Sequence, residues 1–214
     1  MQKAGSAALA NNDTGNTRDL IMNTAISYFA EHGFSGTSLR DIGEEAGINF
    51  QSIRYHFGSK EELWEAVVAT LSQRAVDAGK HHEQAIVALP LRDQLKAQIR
   101  ALVAYTVENP ELWIILTREA MKNSERYRQI YPKYVERLYQ LTEKFLSRLQ
   151  KGGVINSEIP VKDLVMIFLG GLNYRIFTPA DSEFYLGKSL TTDDVIKKHS
   201  EALFLILSNA GDKK

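Results

Sequence analysis

The chain has 214 residues, 44% of them apolar and 24% charged, and its 26 basic residues balance its 26 acidic ones to a formal net charge of zero. Such a chain is long enough to bury a real core in one or two domains, and its neutrality gives no general reason to expect a polyanionic partner. With no cysteine it forms no disulfide, thiolate zinc site or thiol nucleophile; no apolar run approaches the roughly 18 residues that cross a bilayer, and a cytoplasmic location suits it.

Residues 1–16 carry one lysine among mostly small and polar side chains and read as a disordered tail. Strand signals are scarce beyond them, whereas helical periodicity is plentiful. Thr17 can cap a first helix with Ile21, Ala25 and Phe29 on one stripe, ended by Gly33. Ser38 opens a short second helix, with Asp41 three residues on as a weak capping box, and Gly47 interrupts it. Asn49 can cap a third helix running to about Phe57.

Ser59 with Glu62 is a cleaner capping box, and its helix carries Leu63, Val67 and Leu71. The later part of that helix, His81-His82-Glu83-Gln84, lacks two histidines one turn apart and reads as a solvated helix end rather than a zinc site. A fifth helix runs from near Pro90 to Glu108, and Asn109 caps a sixth with Pro110 at its first position. A long helix from about Ser124 to Lys151 is stopped by Gly152 and Gly153, and Pro160 precedes another from Val161 to Phe177. After a loop with Pro179, Thr191 or Thr192 caps a last helix ending at Gly211. The expectation is an all-α chain of about nine helices, with a tail at 1–16, one domain at 17–62 and another at 63–214.

Residues 38–57 meet the steric demands of a helix-turn-helix, in which the second helix is laid in the major groove of DNA. Gly47 supplies the residue that tolerates positive φ in the turn, and Gly43, four residues earlier, is small where the two helices come closest. Ile42, Ala46, Ile48 and Ile53 fall on the inner face, with Phe57 closing the far end and Ala25, Phe29 and Phe34 covering the small core. A helical hairpin that binds nothing has the same spacing. The outward face of the third helix argues against it: Phe50, Gln51, Ser52, Arg54, Tyr55 and His56 are hydrogen-bonding and aromatic groups, where an idle face carries Glu and Lys. A helix N-terminus at Asn49 favours a phosphate, and Gln and Arg can read adenine and guanine edges. Charge argues the other way. Residues 17–60 hold four basic side chains (Arg18, Arg40, Arg54, Lys60) against five acidic ones (Asp19, Glu31, Asp41, Glu44, Glu45), although no acid lies between Ala46 and Lys60 and affinity depends on the face presented.

The stretches Thr37-Ser38-Leu39-Arg40-Asp41-Ile42, Ala46-Gly47-Ile48-Asn49 and Tyr55-His56-Phe57-Gly58-Ser59-Lys60-Glu61-Glu62-Leu63 resemble the N-terminal signature of the TetR family of bacterial regulators. The resemblance covers about Arg18 to Val68. It implies an all-helical homodimer, usually a repressor released from a palindromic operator on double-stranded DNA by a small molecule, with no cofactor. It implies phosphate contacts from Thr37 or Ser38, Tyr55, His56 and Lys60, and base readout by Phe50, Gln51 and Ser52; Arg40 and Asn49 complete the expected DNA-facing set. One position departs: many relatives have a tyrosine before the Tyr-His-Phe group, where this chain has Arg54, which either contacts a phosphate or guanine or pairs with Glu44 or Glu45.

Past about Val76 the signature fades. Leu164, Ile167, Phe168 and Gly171 on one helix, with Val195, Leu203 and Leu207 on the last, are the expected dimer face, forming four helices with their symmetry mates. Gly170 and Gly171 either permit close helix approach or kink the helix, since a glycine pair costs about 2 kcal/mol of helix propensity. Aromatics with a few polar groups suit an effector pocket; the candidates are Tyr105, Trp113, Leu116, Glu119, Tyr139, Tyr174 and Phe177. Arg118, Glu119 and Arg175 stand amid apolar residues and either serve that pocket or pair with one another. No P-loop, dinucleotide-binding glycine pattern or nucleophile elbow is present, so the chain reads as a regulator and not an enzyme. The competing expectation is a helical ligand-binding or protein-interaction module that has lost specific DNA binding.

Overall fold

The computed structural model describes residues 4–187 and 193–209. It is all-helical: α1 (Ala4–His32), α2 (Leu39–Ala46), α3 (Phe50–Phe57), α4 (Lys60–Ile86), α5 (Leu91–Glu108), α6 (Glu111–Met121), α7 (Glu125–Ile130), a π-helical turn (Tyr131–Val135), α8 (Glu136–Lys151), α9 (Val161–Phe177), α10 (Pro179–Leu186) and α11 (Asp193–Leu207). Among the described residues one isolated bridge, Ile155 to Ser208, is the only extended pairing. Among the described residues no helix is long and apolar enough to cross a membrane.

Three elements differ from the sequence reading. The first helix starts at Ala4, upstream of Thr17; alanines at 7, 8 and 10 favour helix, no proline intervenes, and Gly15 costs only about 1 kcal/mol against alanine. The single helix expected from Ser124 to Lys151 is two, separated by the π-helical turn that contains Pro132. A proline inside a helix lacks the N–H for the ladder and crowds the preceding turn, and the wider π turn accommodates it. The expected loop at Pro179 is α10, with that proline in its first turn, where the missing N–H has no helical partner to lose. The caps expected at Thr191 or Thr192 and the stop at Gly211 lie outside the described residues.

The chain divides into two compact units, Met1–Leu71 with Ile114–Ile130, and Ser72–Trp113 with Tyr131–Lys214. The division therefore falls inside α4, and most of α6, from Ile114 on, joins the first unit with all of α7. In that unit Ile21, Ala25 and Phe29 of α1, Ile42 of α2, Ile53 and Phe57 of α3 and Leu63, Trp64, Val67 and Val68 of α4 are buried. Phe34 stacks on Phe29 and meets Trp64 edge-on, both at 6.2 Å between ring centroids.

The second unit is held by α5, α8, α9 and α11. Leu95, Ile99 and Val103, Leu146 and Leu149, Leu164, Val165 and Phe168, and Leu203 and Leu207 form one buried cluster. Of the expected dimer face, Leu164, Phe168, Leu203 and Leu207 are buried within the single chain. Gly171 belongs inside too, since a Cβ there meets the Leu203 side chain at 2.9 Å, while its neighbour Gly170 faces open space. The helix runs unbroken through both glycines, so the pair does not break it, and it is Gly171 that packs against the Leu203 side chain. Ile167 alone of the set is exposed, and the Val195 side chain lies outside the described ones.

Candidate nucleic-acid interface

The α2–turn–α3 unit is built by local rules. Ser38 caps α2: its hydroxyl accepts from the Asp41 N–H at 3.1 Å while the Asp41 carboxylate accepts from the Ser38 N–H at 3.1 Å, so the weak capping box is complete in both directions. Gly47 ends α2 at φ +64°, with the left-handed backbone that glycine adopts without strain. Gly43 is buried, and a Cβ on it stands 2.7 Å from the Ile48 carbonyl oxygen. The closeness of α2 to the turn is thus set by the absence of one methyl group. Ile42 and Ile53 are fully buried between these helices and α1, whereas Ala46 and Ile48 are only half-buried.

The opposite face of α3 is open. Gln51, Arg54 and Tyr55 are exposed, Tyr55 at 84%, and Phe50 at 40%, with Ser52 and His56 half-buried beside them. Arg40 and Asn49 are exposed as well. Arg54 lies over the Phe50 ring, 5.8 Å from its centroid, and among the described residues it has no ion pair with Glu44 or Glu45. The rings of Tyr55 and His56 meet edge-on at 5.2 Å, which fixes both on one edge of the helix.

Three side chains expected at phosphates are already engaged within the protein. Thr37 is buried, its hydroxyl donating to the Gly33 carbonyl at 2.8 Å and to the Tyr28 carbonyl at 3.3 Å, whereas its neighbour Ser38 is half-buried. Asn49 Oδ1 accepts from the Gln51 N–H at 2.9 Å, so the end of α3 is closed by its own cap rather than open to an anion there. Lys60 Nζ donates to the Thr37 carbonyl at 2.6 Å and stands 4.2 Å from the Phe34 ring centroid. An ammonium has three donors, so two of those on Lys60 remain available.

The second helical unit holds a cavity of about 1010 Å³. Tyr105 and Trp113 line it; burial pushes the Tyr105 phenol above its ordinary range, the nearby Arg74 opposing that. The other effector candidates lie elsewhere. Leu116 and Glu119 are buried in the first unit. Tyr139 packs against the core cluster of its own unit, and Tyr174 and Phe177 are exposed, at 61% and 38%.

The charged trio also sorts differently. Arg118 donates through Nη1 to the Ala30 and Glu31 carbonyls, at 2.6 and 2.9 Å, closing the C-terminus of α1. Glu119 pairs with Arg126 at 3.3 Å and accepts from the Ser124 hydroxyl at 2.6 Å; the Arg175 side chain lies outside the described ones. Sequence reasoning missed Arg126, seven positions from its partner across a helix break. Among the described residues no group of three or more acidic or histidine side chains is placed to hold a metal ion.

An exposed apolar stripe runs along α9 at Met166, Ile167, Gly170 and Tyr174, and another along α11 at Leu205 and Ile206. Ile206 is 75% and Leu205 65% exposed.

The family model for bacterial regulatory proteins of the tetR family matches residues 21–67. The HTH-type transcriptional regulator YfiR of Bacillus subtilis is 30% identical over 152 residues, which cover 69% of this chain and 70% of that protein. An HTH-type transcriptional repressor of Streptomyces coelicolor is 27% identical over 182 residues, covering 84% of this chain and 88% of its own. Among solved structures, AibR in complex with isovaleryl coenzyme A and operator DNA is similar in fold, with a TM-score of 0.68 at 16% identity over 89% of this chain and 97% of that one.

Proposed function

This chain belongs to the tetR family of bacterial regulatory proteins, and on that premise we propose that it is a homodimeric repressor of transcription, released from a palindromic operator by a small molecule. It is a transcriptional regulator and not an enzyme. The observation that carries the proposal is the outward face of α3, held by a turn whose geometry one absent methyl at Gly43 sets. In this reading Gln51 and Ser52 read base edges, Phe50 packs on a thymine methyl, and Arg54 reaches a guanine or a phosphate. Ser38, Arg40, Tyr55, His56 and the two remaining donors of Lys60 hold the phosphate backbone, which positions the helix without specifying sequence. The protein acts in the bacterial cytoplasm, on the nucleoid.

The exposed stripes on α9 and α11 are the dimer surface. Contiguous apolar side chains left open on a soluble chain mark an interface, and Gly170 on that surface allows two copies of α9 to approach closely. A two-fold pair of α3 helices then enters successive major grooves about 34 Å apart.

The effector sits in the cavity of the second unit, with Tyr105 and Trp113 in its wall. Coupling to the DNA-binding helices runs through the shared α4, the ligand favouring one of two dimer conformations.

Footprinting on the DNA upstream of the protein's own gene tests the proposal. It predicts a protected palindrome whose half-sites lie about 10 base pairs apart or a multiple of that; protection of a single half-site, or of none, contradicts it.

A further inference from the structure

The cavity wall is polar at one end and apolar at the other. Three of its residues each carry a buried side-chain atom with no hydrogen-bond partner: Nε2 of His82, Oε1 of Gln98 and Nη2 of Arg148. Unpaired buried polar atoms are costly, and three in one wall call for a common explanation. They come from three helices, α4, α5 and α8. On each, the apolar and aromatic wall lies further along: Val76 before His82 on α4, Tyr105 beyond Gln98 on α5, and Leu138 before Arg148 on α8. At 1.5 Å per residue these separations are about 9 to 15 Å. The cavity therefore has a polar end and an aromatic end roughly one ligand length apart.

The polar end is basic. Lys80, Lys144, Lys151 and Arg148 line the cavity against Glu83 and Glu143. Arg148 is held only loosely: Glu83 is 3.8 Å away, beyond hydrogen-bond distance, and the guanidinium lies 5.5 Å from the Phe145 ring centroid. The Arg148 and Glu83 side chains are 37% and 49% exposed, so the charged end is the mouth.

We infer that the effector is an elongated organic anion whose apolar or aromatic body lies against Trp113, Leu138 and Phe168 and whose single acidic group meets Arg148, with His82 and Gln98 hydrogen-bonding its polar end. A planar guanidinium takes an acid oxygen pair in two parallel hydrogen bonds, and Glu83 competes for it while the cavity is free of ligand. A cationic or wholly apolar effector leaves Arg148 and the two neighbours unsatisfied. This inference rests on the reading of the cavity as the effector site.

The test uses two matched probes, anilinonaphthalene sulfonate and its uncharged parent phenylnaphthylamine, titrated by fluorescence into the full-length protein. The sulfonate is expected to bind about 10-fold or more tightly than the parent, the scale of a charge-assisted hydrogen bond. R148M is expected to erase that preference while leaving the parent's affinity within about twofold. E83Q, at a half-exposed position that leaves the fold intact, is expected to raise sulfonate affinity by about two- to fivefold by releasing Arg148, the scale of a surface ion pair. A101F, which narrows the cavity between its two ends, is expected to weaken both probes. Equal affinities in the wild type, a preference that survives R148M, an E83Q variant that binds the sulfonate no better, or full binding to A101F each overturn the inference. Wild-type protein from the same preparations is tested for a specific DNA shift. If it shifts DNA while the probes fail to discriminate, the regulator stands and only the effector class falls; if it shifts none, the regulator reading itself fails.

Discussion

Lys60 Nζ donates to the Thr37 carbonyl at 2.6 Å, tying the first residue of α4 to the turn ahead of α2, with the Phe34 ring 4.2 Å from the ammonium. The lysine thus holds the start of the helix-turn-helix and still offers two donors to a phosphate. K60A is expected to weaken binding to every DNA sequence alike and to lower the salt slope by about one. It should also destabilise the domain by about 1 kcal/mol through the lost hydrogen bond. Affinity measured at several ionic strengths, beside urea unfolding, checks both. An unchanged slope would show that Lys60 serves the fold alone.

The two glycines of the turn should behave differently. At Gly43 a Cβ stands 2.7 Å from a backbone carbonyl oxygen, so G43A must push α2 and the turn apart. Overpacking of that kind costs about 1–3 kcal/mol and should abolish specific DNA binding in protein that still folds. At Gly47 there is open space within 4 Å and only φ +64° to pay for, about 1–2 kcal/mol for a non-glycine residue. G47A is expected to lose stability but keep measurable operator affinity. The reverse order in a binding assay would place the closest approach elsewhere.

The start of α4 supplies a pH-dependent term. Hydrogen bonds from the Ser59 N–H, at 2.7 Å, and the Ser59 hydroxyl hold the Glu62 carboxyl below the ordinary carboxylate range. A group whose folded pKa is lowered stabilises the fold above its unfolded value, and loses that contribution as the pH falls through the lowered one. E62Q should flatten the melting temperature's dependence on pH across the acidic carboxylate range, while S59A, which keeps the Ser59 N–H, should flatten it less and cost about 1 kcal/mol at neutral pH, as loss of a helix cap does. Parallel wild-type and E62Q curves down to acid would contradict the capping box.

The exposed stripes predict the assembly. I167D together with L205E, at positions 54% and 65% exposed in the single chain, is expected to leave each monomer folded and to convert dimer to monomer by sedimentation. Operator affinity should fall more than 100-fold, since each half-site is then bound alone. A double variant that remains dimeric would move the interface to another face.

How much was legible follows from how local each feature is. The helix-turn-helix is specified over twenty residues by offsets between Gly43, Gly47, Ile42 and Ile53, so the sequence displays it directly. The exposed stripe of α9 is a different kind of feature: α9 is apolar on both sides, with Leu164 and Phe168 buried and Met166 and Ile167 exposed, and which side is core depends on where α5 and α11 lie. Periodicity offers no way to choose between them. Thr37 and Asn49 were sound choices by residue type, yet both are used up by carbonyls and N–H groups that only the folded turn brings near. His82 read as part of a solvated helix end because its three neighbours in His81-His82-Glu83-Gln84 are polar and no second histidine stands one turn away; its buried nitrogen becomes visible only once α5 and α8 are in place. Pro132 was visible all along, and its consequence, a π turn between α7 and α8, is what a proline inside an otherwise helical pattern should have suggested.

The central claim is specific DNA binding by the outward face of α3. A mobility-shift titration on the DNA upstream of the protein's own gene, at low salt and without effector, tests it most directly when run for wild type and Q51A against unrelated DNA. The account predicts a discrete wild-type complex about 10³-fold or more tighter than that on unrelated DNA, with Q51A altering sequence preference at one position of each half-site. Equal affinity of the wild type for upstream and unrelated DNA would contradict it, and would leave a helical ligand-binding module whose helix-turn-helix no longer reads DNA.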